Sequence, residues 1–133
     1  MTILAFDPGE STGWVCRKNG FIEGGTVKKS FETIEYLFNS YRPQIVVYET
    51  FALYPSLAKS LAWNTMYPCE VIGVIKFLAE KHNIKWYDQP ASCKKYAGKV
   101  SLKDVRGIEK TGHTKDALIH LQYFLTHGKG KDL

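Results

Sequence analysis

The sequence predicts an α/β fold: one mixed five-stranded sheet, an antiparallel meander of three strands plus two parallel strands, flanked by helices. Three observations carry this. Asn19-Gly20 stands between two strand-like runs and is a strong signal for a two-residue hairpin turn. Ile45-Val46-Val47-Tyr48 is apolar at every position, as suits a strand buried on both faces. Beyond it, helical periodicity alternates with short strand-like segments, the pattern of βαβ units packed on a sheet.

Taken in order, residues 2–7 read as the first strand, with the apolar run Ile3-Leu4-Ala5-Phe6 leading into Asp7. Gly13 to Lys18 and Phe21 to Val27 are the two arms of the hairpin. Residues 30–40 place Phe31, Ile34, Leu37 and Phe38 at helical spacing. Pro43 then breaks the chain ahead of the strand from Ile45 to Tyr48. Ser56 to Lys81 is helical in composition but interrupted near Met66-Tyr67-Pro68, because proline lacks a donor and clashes with the preceding turn. Asn83 to Tyr87 is a short strand, and Gln89-Pro90-Ala91-Ser92 looks like a helix start. Two last helices are expected, Ser101 to Lys110 and Gly112 to Thr126, punctuated by Thr111-Gly112. Residues 1–127 are expected to form a single domain and residues 128–133 a flexible tail.

With 133 residues, 44% hydrophobic and 14% aromatic, the chain is long enough for a real core and too apolar to be disordered. It has no run approaching the roughly 20 apolar residues of a membrane span. Its strand-like N-terminus does not read as a secretion signal. Cys16, Cys69 and Cys93 are odd in number and widely spaced, which fits neither a disulfide framework nor a zinc pattern. Reduced thiols in a cytoplasmic compartment are the expectation.

Three acids stand out. Asp7 ends a buried strand and opens Asp-Pro-Gly-Glu-Ser-Thr-Gly, in which Pro8-Gly9 turns the chain and Thr12-Gly13 start the return strand. The same residues are also ordinary turn chemistry. Glu49 abuts four apolar strand formers, where glutamate is disfavoured, although it could simply mark a solvated strand end. If its strand neighbours the first, Glu49 and Asp7 lie side by side. Asp116 is three residues after His113, and helical spacing puts His113, Asp116, Ala117, His120 and Phe124 on one face. The alternative there is an acid near a helix N-terminus, with both histidines partly exposed. Three converging carboxylates cannot all stay ionised without a cation, and hard oxygen ligands suit Mg²⁺ or Mn²⁺. Divalent-metal phosphoryl transfer is the chemistry this pattern points to.

The net charge is +5, and its distribution says more than its size. Between Lys94 and Lys115 lie seven basic residues against two acids, which accounts for the whole excess. Such a stretch is either a solvated surface or an electrostatic footprint for nucleic acid. Lys99, Lys103, Arg106 and Lys110 recur at helical offsets opposite Leu102, Val105 and Ile108, so a helix here would offer one cationic stripe to phosphates. Lys94 and Lys95 precede it. Phe51 and Tyr54, just past Glu49, are either core or aromatics able to stack on or wedge between bases.

The ordered set of motifs resembles the RuvC family of Holliday-junction resolvases, of the RNase H-like superfamily, and most of all its compact phage-type members. Ile3 to Gly9 with Thr12-Gly13 matches the first family motif, Ile45 to Glu49 the second, and His113-Thr114-Lys115-Asp116-Ala117 the closing helix motif. The resemblance implies an RNase H-like sheet and two Mg²⁺ or Mn²⁺ ions held by Asp7, Glu49 and Asp116, with His113 as a fourth ligand or near one. It further implies hydrolysis of one phosphodiester on each of two strands of a four-way DNA junction, leaving 5′-phosphates. The protein would be a homodimer with one site per subunit, no small-molecule cofactor and no membrane partner, and would work in the host cytoplasm if phage-encoded. Family lysines that hold scissile phosphates map onto Lys94 or Lys95 and onto Lys103, and the family's wedge aromatic falls near Phe51 or Tyr54. Three other readings stand beside this one: a nuclease of the same fold acting on other branched DNA or on RNA, a non-catalytic nucleic-acid-binding domain, and a fragment of an actin-like ATPase, whose phosphate loop also reads Asp-x-Gly-x-x-Thr-Gly.

Overall fold

The computed structural model describes residues 1–51, 66–96 and 100–133. The expected helical segment from Ser56 up to Met66, along with Tyr54 and Lys99, lies outside the described residues. The elements are β1 (Ile3–Asp7), β2 (Ser11–Lys18), β3 (Phe21–Lys28), α1 (Phe31–Tyr41), β4 (Ile45–Glu49), α2 (Tyr67–Lys81), β5 (Lys85–Gln89), a 3₁₀ turn (Ala91–Tyr96), β6 (Val105–Arg106) and α3 (Gly112–Thr126). They build a sheet of order β5-β4-β1-β2-β3-β6. The meander β1-β2-β3 is antiparallel, and β4 and β5 run parallel to β1.

Local sequence explains most of these boundaries. Asn19 and Gly20 both take positive φ (52° and 80°), so Lys18 pairs with Phe21 across a tight turn. Ser30 caps α1 by accepting from the Thr33 amide at 3.1 Å, and Arg42 ends the helix in the left-handed region just before Pro43. Pro68 falls in the first turn of α2, where a missing N–H costs nothing, so the break expected at Met66-Tyr67-Pro68 is a helix start.

The sheet is covered on both faces. On one, Leu4, Phe6, Cys16, Val46 and Tyr48 pack against Ile34, Leu37 and Phe38 of α1 and Val71, Ile75 and Leu78 of α2. On the other, Ile3, Ala5, Val15, Ile45 and Val47 meet Ala117, Leu118, Leu121 and Phe124 of α3. Alternation along β1 and β4 therefore sends Asp7 and Glu49 to the α3 side. No helix among the described residues is long and apolar enough to cross a membrane.

One expected element is not there. Residues 101–110 do not form a helix, and the sheet has six strands among the described residues where five were expected. The chain instead turns at Leu102, whose carbonyl accepts from the Val105 amide at 3.0 Å, and adds β6 parallel to β3. Gly107 gives the physical reason. Its φ is +145°, and a Cβ there would lie 1.9 Å from the Gly24 carbonyl oxygen, so this backbone is pressed edge-on against β3. Lys110 turns back on its own segment and donates to the Val105 carbonyl at 2.7 Å. The cationic stripe is thus lost: Lys103, Arg106 and Lys110 share no helical face. Past α3, the Gly128 and Gly130 amides donate to the Tyr123 and Phe124 carbonyls at 2.8 and 3.0 Å, curling residues 128–133 back on the helix end.

Candidate active site

Asp7 and Glu49 stand at neighbouring strand ends. β1 and β4 pair in parallel with Phe6 opposite Tyr48, so the next residue of each strand, an acid, emerges at the same sheet edge. Beyond Asp7 the turn is fixed by the Thr12 hydroxyl, which accepts from the Gly9 amide at 3.2 Å and donates to the Gly9 carbonyl at 2.9 Å. The third and fourth residues come from the first turns of α3. That helix end is bolted to the meander: Thr111 caps it, Thr114 answers with its own hydroxyl to the Thr111 amide at 3.0 Å, and the same hydroxyl donates to the Gly25 carbonyl at 2.9 Å. Gly13 allows the helix to come this close, since a Cβ there would sit 1.9 Å from the His113 carbonyl oxygen.

The result brings all four predicted residues to one end of the sheet. His113 Nδ1 lies 3.2 Å from Asp7 Oδ2, and Asp116 faces in from one turn further along. The Asp7 and Glu49 side chains are only 14% and 11% exposed, against 53% for His113 and 34% for Asp116, which makes a buried acid pair with a more open rim.

Burial and the neighbouring Glu49 charge push Asp7 up to about 7. Burial also opposes ionisation of Glu49, but His120, Asp7 and Lys94 outweigh it and hold that group at about 2. The pair titrates as a unit, and Glu49 takes the charged role because the cationic and polar partners are on its side. Lys94 Nζ lies 3.2 Å from Glu49 Oε1 and 3.5 Å from Asp116 Oδ2, bridging β4 and α3. Among the described residues no three His, Cys, Asp or Glu side chains already converge as a closed metal cage. The donor set nonetheless fits a hard divalent ion: three carboxylates at one sheet end, one of them, Asp7, raised by burial and by the Glu49 beside it.

Sequence reasoning missed Gln89 and assigned His120 no role of its own. His120 was placed on the correct helix face, with partial exposure only under the alternative reading of that helix start. It is fully buried, with Nε2 3.3 Å from Glu49 Oε2. Gln89, paired with Glu49 across β4 and β5, donates from its amide to His120 Nδ1 at 2.9 Å and to the His120 carbonyl at 3.0 Å. Nδ1 is therefore the acceptor, and the proton sits on Nε2, facing Glu49. The signal for His120 was its spacing of four from Asp116; Gln89 gave none, since its role depends on strand pairing. Lys94, expected to meet DNA phosphates, has its ammonium among the acids.

The remaining nucleic-acid candidates are spread out. Phe51 is 38% exposed just past Glu49. Lys95 reaches over the Tyr96 ring at 5.0 Å, and the Arg106 guanidinium lies 4.2 Å over the Phe21 ring. Lys103 is exposed on the turn before β6, at the sheet edge opposite β5.

An antiparallel β1-β2-β3 meander continued by parallel β4 and β5, with acids gathered at one sheet end under a C-terminal helix, is the RNase H-like fold. The solved structures it resembles include Holliday junction resolvases. Thermus thermophilus RuvC in complex with a Holliday junction substrate matches over 96% of this chain and 97% of its own, with a TM-score of 0.64 and 16% identity. The fowlpox virus Holliday junction resolvase matches over 97% and 99%, with a TM-score of 0.58 and 12% identity. The yeast mitochondrial Holliday junction resolvase Ydc2 matches over 90% and 74%, at 0.50 and 11%. No family model and no curated protein matches the chain. At these identities the likeness is one of fold.

Proposed function

We propose that this protein is a metal-dependent, structure-selective endonuclease that hydrolyses phosphodiesters in four-way DNA junctions. The observation that carries the reading is the meeting of Asp7, Glu49 and Asp116 at one sheet end, in a fold shared with proteins that are themselves Holliday junction resolvases. Asp7, Glu49 and Asp116 would hold two Mg²⁺ or Mn²⁺ ions, with His113 at the rim beside Asp7. The chemistry such ions would supply there is activation of a water and stabilisation of the leaving 3′ oxygen, which would give 5′-phosphate products. The chain's own residues do the preparatory work. Gln89 fixes the tautomer and ring orientation of His120, and His120 with Lys94 keeps Glu49 ionised. Two such sites, one per subunit of a homodimer, would account for paired cuts on opposed strands.

Matched substrates distinguish this reading from a nuclease of other branched DNA or of RNA: a four-way junction, a flap, a linear duplex and an RNA–DNA hybrid, each with Mg²⁺ or Mn²⁺. Preferential cutting of the junction is expected, and equal rates on all four would remove the resolvase assignment. His113→Ala is expected to lower turnover roughly 10–100-fold with junction affinity nearly unchanged, because the ring touches Asp7 at the rim. Single-turnover rates set beside binding titrations make that separation. Lys103→Ala is expected to reduce the slope of log affinity against log salt by about one phosphate's share, and an unaltered slope rules out a backbone contact.

A further inference from the structure

Lys94 stands on the 3₁₀ turn Ala91–Tyr96, next to Cys93, whose buried side chain pins that turn to the domain. Its side chain is one-third exposed, and the ammonium turns inward to two acids. It is 3.2 Å from Glu49 Oε1 and 3.5 Å from Asp116 Oδ2, joining a strand end to a helix that are 67 residues apart in sequence by number. The other Glu49 oxygen, Oε2, faces His120, so Lys94 and His120 divide the two oxygens of that carboxylate between them. A compact, flexibly tethered single charge is thus doing between two acids what a divalent ion does with twice the charge. The two cannot share these oxygens: metal–oxygen distances near ~2.1 Å would set an ammonium against a dication within the same small space.

We propose that Lys94 is a built-in counter-ion of this site, holding Glu49 and Asp116 together in the metal-free protein and yielding both oxygens when a divalent ion binds. This rests on the reading of the three acids as metal ligands. The exchange keeps the acid cluster assembled before loading, sets a threshold on metal affinity, and releases a cation at the site only once metal has arrived. It also accounts for the open, lysine-bridged arrangement of the acids.

The test is Mn²⁺ binding to the full chain without DNA, measured by calorimetry or by the loss of free-ion electron paramagnetic resonance signal. Thermal melts with and without the ion accompany it. Wild type is compared with Lys94→Met, which keeps the stem without the charge, and Lys94→Arg, which keeps the charge. Lys94→Met is expected to bind Mn²⁺ on the order of tenfold more tightly, the worth of two partly exposed ion pairs no longer broken. Its metal-free melting temperature should fall and its gain on adding Mn²⁺ should exceed that of wild type. Lys94→Arg should stay within about threefold of wild-type affinity. Equal or weaker Mn²⁺ binding by Lys94→Met overturns the counter-ion role while leaving the nuclease reading standing. Failure of the wild type to bind Mn²⁺ at millimolar concentration overturns both.

Discussion

Asp7→Asn is expected to reduce junction cleavage by roughly a thousandfold or more and, at the same time, to raise the stability of the metal-free protein at pH 8. Both effects come from one geometry. Asp7 is buried beside Glu49, and its ionisation is pushed up from an ordinary 3.8 to about 7. A group whose folded value lies above its unfolded one contributes fully to stability below about pH 4. That contribution is then lost as the pH rises through about 7. Above neutrality the folded protein must carry a buried charge, and the full shift from 3.8 to about 7 corresponds to at most about 4 kcal/mol. Asparagine cannot ionise, so in chelator the variant should keep its stability between pH 5 and 8 while the wild type declines. Added Mg²⁺ should restore the wild type and leave Asp7→Asn unmoved. Parallel pH profiles for the two proteins would count against the charged pair at the strand ends.

Gly13→Ala should be severely damaging for the addition of a single methyl group. The new Cβ would lie 1.9 Å from the His113 carbonyl oxygen, 2.0 Å from its carbon and 2.5 Å from the Thr114 nitrogen. All three are backbone atoms, so no side-chain rotation relieves the overlap, and α3 must lift from the sheet. A loss of about 3 kcal/mol or more in denaturant unfolding is expected. Cleavage should fall with it even where the protein stays folded, because His113 and Asp116 move with the helix. Gly73→Ala is the control: it lies within α2 with nothing inside 4 Å of the added Cβ, and it should gain roughly 0.5–1 kcal/mol. A Gly13→Ala protein as stable as wild type would mean that α3 does not rest on β2 as described.

Much of the fold was legible because local chemistry decided it. The hairpin needed only Asn19-Gly20, the helix 112–126 only its cap and periodicity, and the strand ending at Glu49 only its unbroken apolar run. The segment 101–110 misled for an equally definite reason. Lys103, Arg106 and Lys110 keep helical spacing, but Gly107 occupies a backbone conformation stabilised by its approach to Gly24, 83 positions earlier by number. Periodicity is a statement about neighbours three and four apart and contains nothing about such an approach.

The candidate site divides the same way. By itself the sequence determined which acids end buried strands, and that His113, Asp116 and His120 share one helix face, because strand termini and helical spacing are properties of short stretches. Tertiary structure alone decided that His120 is buried with its proton toward Glu49, that Gln89 orients it, that Gly13 brings α3 down onto the sheet, and that Lys94 bridges Glu49 and Asp116. Each of these depends on a distance between residues remote in sequence, and such distances exist only once strands pair and the helix packs across them.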